Sequence, residues 1–104
     1  MKPARLVPEA VAELTDAAVW YESRRPELAR QFLQDFETVL PLIESRPFSF
    51  PRLLGTSPEL NIRRALLPRF PYASVFLELP SKIRIVAVAH LKRRPGYWLN
   101  RVGG

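Results

Sequence analysis

From Pro8 to Arg24 the apolar residues Val11, Leu14, Ala18 and Tyr21 recur at three- and four-residue intervals, while Glu9, Glu13, Asp16 and Glu22 fall on the other faces. A stripe of that period predicts an amphipathic helix with one buried side. The segment Ser23 to Pro26 interrupts it, and the pattern resumes with Leu28, Phe32, Phe36, Val39 or Leu40, and Ile43, stopping before Pro47. A second helix is expected there, with a kink at Pro41, whose ring and missing N–H disturb the preceding turn. So short a connection predicts two antiparallel helices with their apolar stripes on a common surface. Ahead of them Ala4, Leu6 and Val7 suggest a short strand over residues 3 to 7, ended by Pro8 as the first helical residue.

The period changes in the second half of the chain. Between Arg46 and Glu59 lie Pro47, Pro51, Gly55 and Pro58, a composition that predicts a surface loop. Three strand-like runs follow, Leu60 to Leu67, Phe70 to Leu79 and Ile83 to His90, rich in Ile, Val, Phe and Tyr, with Pro80, Ser81 and Lys82 as a hairpin turn. In the middle run Ala73, Val75 and Leu77 alternate with Tyr72, Ser74, Phe76 and Glu78. In the last, Ile83, Ile85, Ala87 and Ala89 alternate with Arg84, Val86, Val88 and His90. Both faces are partly apolar, so the helices are expected to cover one of them. The expected fold is therefore α+β, with a short N-terminal strand and two antiparallel helices packed on a three-stranded antiparallel meander. Residues 1–104 form one domain in this reading, and 91–104 a basic, aromatic C-terminal tail.

Length and composition narrow the possibilities. At 104 residues and 47% hydrophobic content the chain can build one core and not two. It has no cysteine, which excludes disulfides and thiolate metal sites. No window approaches the roughly 20 apolar residues of a membrane span, and the N-terminus lacks a signal-peptide core, so a cytoplasmic protein is expected. A formal charge of +6 suits a polyanion or an acidic protein partner. No acidic or histidine cluster has metal-ligand spacing, and no glycine-rich turn opens a helix, so neither a metal nor a nucleotide cofactor is expected.

The order of elements, together with Trp20 and Tyr21 in the first helix, Phe32 in the second, Arg63-Arg64, Arg69-Phe70-Pro71-Tyr72 and the run from His90 to Trp98, resembles the RelE/ParE toxins of type II toxin–antitoxin modules. The resemblance covers nearly the whole chain. It implies a toxin held inactive by an acidic antitoxin, which lays an extended or helical segment over the helices and sheet. It also implies one of two activities, cleavage of messenger RNA on the ribosome or inhibition of DNA gyrase without nuclease chemistry. A third reading is a non-toxic, basic nucleic-acid-binding or regulatory domain.

Metal-free RNA cleavage requires a deprotonated ribose hydroxyl, neutralised phosphate charge and a protonated leaving oxygen. Arg94 and Tyr97 are similar to the tail residues that stabilise phosphate and stack a base or handle a proton in the RNA-cleaving branch. Arg63 matches the family position from which a basic side chain reaches into the cleft, and Arg64 beside it must face the other way. His90 is the single histidine and could exchange a proton near neutrality. Arg64, Arg84, Lys92 and Arg93 are candidates for phosphate contacts. One departure is plain: where the RNA-cleaving branch presents an arginine in the middle strand, this chain reads Tyr72-Ala73-Ser74. Bland readings stand beside these. Arg63, Arg64 and Arg84 could be a solvated sheet face, Tyr97 and Trp98 could fold back onto the edge of the core, and Trp20 and Tyr21 suit packing better than base stacking. The ribonuclease reading requires Arg63, Arg94 and Tyr97 to meet in one cationic hollow.

Overall fold

A computed structural model describes residues 1–53 and 58–103; positions 54–57 of the expected loop, Gly55 among them, lie outside the described residues. The elements run β1 (Ala4–Leu6), α1 (Pro8–Arg24), α2 (Pro26–Ser45), β2 (Ile62–Leu66), β3 (Tyr72–Glu78) and β4 (Ile83–His90). Pro8 and Pro26 open their helices, and Arg25, held extended ahead of Pro26, closes α1 through its N–H to the Tyr21 carbonyl. Helix α2 passes through Pro41 and stays helical to Ser45. The bond lost there belongs to an exposed turn, where water can replace it.

The meander β2-β3-β4 is antiparallel, and β1 adds to its far side parallel to β4, giving the order β1-β4-β3-β2. The buried stripe of α1 is Ala10, Leu14, Ala17 and Tyr21, while Val11, expected inside, is 48% exposed. Small alanines at that stripe let the helix lie close to the sheet. On this face they meet Phe32, Phe36 and Ile43 of α2 and Phe76, Ile85 and Val88 of the strands.

The alternation of β4 changes phase partway along. Phe76 pairs with Ile85 and Val75 with Ala87, so Val86 is an extra residue opposite the β3 ladder. Ile83 and Ile85 therefore pack on the helix side, Val86, Ala87 and Ala89 on the other, and Val88 returns to the helix side. A strict period of two, as the sequence suggested, places Ala87, Val88 and Ala89 on the wrong faces.

The second face of the sheet has its own core. Trp98 and Val102 fold back onto Ile62, Val75, Leu77, Val86 and Ala89, leaving Trp98 only 4% exposed. The C-terminal segment is thus a packed layer, turning at Gly96 (φ 80), where a side chain's Cβ would come within 3.1 Å of Leu99. The region expected to be irregular carries short 3-10 turns at Pro47–Ser49 and Pro58–Leu60, and Arg52 bridges to Arg63 at the outer edge of β2. Between α2 and the β2–β3 turn, the buried Asp35 carboxylate accepts the Arg69 backbone N–H at 2.7 Å and its Nε–H at 2.8 Å. Among the described residues no helix is long and apolar enough to cross a membrane.

Candidate anion-binding hollow

A hollow of about 270 Å³ opens where the C-terminal layer leaves part of the second sheet face uncovered. Ala73, Val75 and Ala89 form its floor, Arg64 and Leu53 stand on the β2 side, and His90, Leu91 and the chain from Arg93 to Leu99 form the opposite wall. Arg64 and Arg94 both line it and both are exposed. Among the described residues neither side chain is engaged in a hydrogen bond or ion pair. Two uncommitted guanidinium groups over an apolar floor are suited to a ligand with anionic oxygens and an apolar body.

Arg63 does not join them. Its Cα partner is Phe76, on the helix side, and its Nη1 donates to the Phe50 carbonyl at 2.6 Å and, at 3.4 Å, to that of Phe48. The resemblance pointed to residue 63, but the register of β2 turns residue 64 toward the hollow, so Arg63 does not meet Arg94 and Tyr97 there as expected. Arg84 is also elsewhere, donating to the Val102 carbonyl at 3.0 Å and lining a different cleft. Lys92 is exposed, and its backbone N–H donates to His90 Nδ1 at 3.0 Å. That bond makes Nδ1 an acceptor and leaves Nε2 to carry the ring proton. The His90 ring packs edge-on against Tyr72 and also borders the hollow.

Tyr97 lines the hollow with its ring, but its hydroxyl is committed elsewhere, donating to Glu13 Oε2 at 2.8 Å. Burial first, then that bond and the Glu13 charge, push its pKa up to about 12, against the opposing pull of Arg93 and Arg101. A phenol so held does not give up its proton near neutrality and is no general base. Arg93 covers the same ring at 3.8 Å and pairs with Glu13 at 3.4 Å, so this expected phosphate ligand is partly engaged within the fold.

Glu13 is the residue the sequence reading missed. Its spacing puts it off the apolar stripe, yet its side chain is only 13% exposed and it gathers Tyr97, Arg93, Arg101 and the Val88 N–H. β1 ends at Leu6, so the outer edge of β4 lacks a neighbouring strand beyond Ile85, where Val7 makes the last bond. Glu13 Oε1 accepts the Val88 N–H at 3.0 Å and Arg101 donates to the Val86 carbonyl at 3.1 Å, while the two side chains pair at 3.1 Å. An ion pair thus stands in for the missing strand and fastens the C-terminal layer to α1. The signal was available: Glu13 lies three residues after Ala10 and four before Ala17, on the flank of the buried stripe.

Trp20 is 51% exposed, with Arg24 over its ring at 4.7 Å, whereas Tyr21 packs among Phe32, Phe70 and Tyr72. Packing was expected of both. Among the described residues no cluster of histidine and carboxylate side chains could hold a metal ion.

No protein-family model matches the sequence, and no curated relative does. The structure is similar to a solved chain described as the chromosomal ParDE TA system from P. aeruginosa, with a TM-score of 0.74 and 19% identity. The match covers 88% of this chain and 98% of that one. At such an identity what is shared is the fold, which is the α+β architecture expected from the sequence.

Proposed function

We propose that this chain is the toxin half of a toxin–antitoxin pair, and that it acts by binding its target, DNA gyrase, and not by cutting RNA. The fold shared with a ParDE chain and the resemblance of the sequence motifs support the first part. One observation carries the second: the hollow offers Arg64 and Arg94 for anion binding, but Arg63 holds the Phe48–Phe50 turn and the Tyr97 hydroxyl serves Glu13. Charge neutralisation is provided for, while proton abstraction from a ribose hydroxyl has no tyrosine base. In the resting complex the acidic antitoxin sets carboxylates against Arg64 and Arg94, and the same two residues are released to the target.

The test is direct. Purified chain is added to a gyrase supercoiling reaction and, separately, to ribosomes translating a defined message whose 3′ ends are mapped. Loss of supercoiling with intact message supports the reading, and new message ends with normal supercoiling sink it. Arg64→Glu combined with Arg94→Glu should abolish growth arrest and weaken antitoxin binding while leaving the melting temperature unchanged. A second reading, RNA cleavage, keeps one specific support: His90 borders the same hollow as both arginines. In that case His90→Gln should abolish message cleavage.

A further inference from the structure

A second cleft, of about 360 Å³, lies at the opposite end of the C-terminal layer, between β1, the start of β4 and the turn near Arg101. Its lining is strongly cationic. Arg5, Lys82, Arg84 and Arg101 contribute to it, and Glu9 is the one acidic residue among the described lining.

Arg5 and Arg84 are direct partners in the parallel β1–β4 ladder, so two guanidinium-bearing side chains start from opposed positions on one sheet face. Like charges placed directly across a ladder repel, and sheets ordinarily avoid the arrangement or neutralise it. Among the described residues no ion pair neutralises them. Arg5 donates only to the adjacent Ala4 carbonyl at 3.4 Å, Arg84 donates to the Val102 carbonyl, and among the described residues neither they nor Lys82 form an ion pair. Arg101 is already shared with Glu13 and the Val86 carbonyl, yet it borders the same space.

We infer that this cleft is a site for a phosphate-bearing anion, separate from the hollow at Arg64 and Arg94. Three cations approach from β1, the β3–β4 turn and β4. A carboxylate offers one charge and acceptors in one plane, which suits a single guanidinium. A phosphate or diphosphate carries more charge and directs oxygens to several sides, matching donors that converge from different elements. Because Arg84 and Arg101 also hold the C-terminal layer, the bound anion bridges β1, β4 and that layer, and occupancy stabilises the fold. The inference does not depend on the proposed function, since none of its residues belongs to the hollow.

Inorganic pyrophosphate is the first probe, titrated into the full chain by calorimetry at ionic strength held constant with sodium chloride. The double variant Arg5→Ser with Lys82→Ser removes two cations that do not fasten the C-terminal layer, so the fold is retained. Its pyrophosphate affinity should fall by at least about tenfold, and its melting temperature should no longer rise with added pyrophosphate. Arg30→Ser with Arg46→Ser, which removes the same charge from exposed positions outside both cavities, should leave both unchanged. A parallel titration with a mixed-sequence single-stranded oligonucleotide lacking terminal phosphates identifies the source. Equal loss of both ligands assigns the cleft to strand backbones, and loss of pyrophosphate alone assigns it to a free phosphate compound. Equal pyrophosphate affinity in wild type and the Arg5/Lys82 variant, or no binding by wild type beyond the chloride control, overturns the inference.

Discussion

Replacing Glu13 probes the link between the helices and the C-terminal layer. Glu13→Ala deletes the acceptor of the Val88 N–H and the Tyr97 hydroxyl, and takes from Arg101, itself 13% exposed, the carboxylate it pairs with. Removing one partner of a buried ion pair costs about 3 to 5 kcal/mol, because the other charge stays desolvated and unpaired. The lower end applies here. Arg101 still donates to the Val86 carbonyl, and Arg93, 54% exposed, is held by screened attraction of little value. A loss of about 3 kcal/mol in a domain of this size lowers the melting temperature by roughly 12 to 20 °C. Glu13→Gln is the discriminating companion. Its amide oxygen can still accept the Val88 N–H, so the edge of β4 stays satisfied while the charge is gone, and the cost should be about 1 to 2 kcal/mol. Urea unfolding of both variants gives the two numbers, and amide exchange at Val88 and Val102 reports whether the edge and the layer open together. A Glu13→Ala protein within about 0.5 kcal/mol of wild type, a change typical of surface substitutions, would refute the view that this carboxylate fastens the fold.

Other outcomes follow from single contacts. The Ser74 hydroxyl is wholly buried with no hydrogen-bond partner among the described residues, so Ser74→Ala should be neutral or stabilising by up to about 1 kcal/mol in the same unfolding assay. Asp35→Ala strips the Arg69 backbone N–H of its acceptor and should cost about 2 to 3 kcal/mol, measured as a lower urea midpoint with unchanged slope. Tyr97 is held above its ordinary value of 10.0, up to about 12, so its contribution to stability is whole below the unfolded value and is lost as pH rises through the folded one. Unfolding midpoints collected across that window should fall with pH, and less steeply in Tyr97→Phe; Tyr21 and Tyr72, also raised by burial, supply the remaining slope. Equal slopes in the two proteins would rule out a Tyr97 contribution.

Much of the architecture was legible because it is written in local periods. Three- and four-residue spacing from Leu14 to Ile43 specifies helices whatever they pack on, and Pro8 and Pro26 mark their starts by backbone chemistry alone. The β4 bulge was not legible, because Ile83 to Ala89 is apolar at nearly every position and the extra residue leaves no polar mark in the sequence. The C-terminal layer was half legible. Folding back of Trp98 onto the core was among the readings, but the four basic residues around it named no partner, and only the fold shows that Arg93 and Arg101 face a carboxylate 80 or more residues earlier in the chain.

The site shows the same division with a functional consequence. Arg63 and Arg64 are chemically identical, and alternation says only that they face opposite ways; which one reaches the hollow is fixed by the pairing of Arg63 with Phe76 and Arg64 with Val75. Phe76 belongs to the helix-side core and Val75 to the other, so residue 64 is carried to the open face and residue 63 under the Phe48–Phe50 turn. That single register separates the strand arginine expected by resemblance from the tail, and with Tyr97 engaged by Glu13 it favours recognition over cleavage. Exchanging the roles supplies the sharpest check. Arg63→Ala should cost about 1 kcal/mol of stability through the lost bond to the Phe50 carbonyl and leave target binding intact. Arg64→Ala should do the reverse, and a binding defect in Arg63→Ala without one in Arg64→Ala would return the site to the helix side of β2.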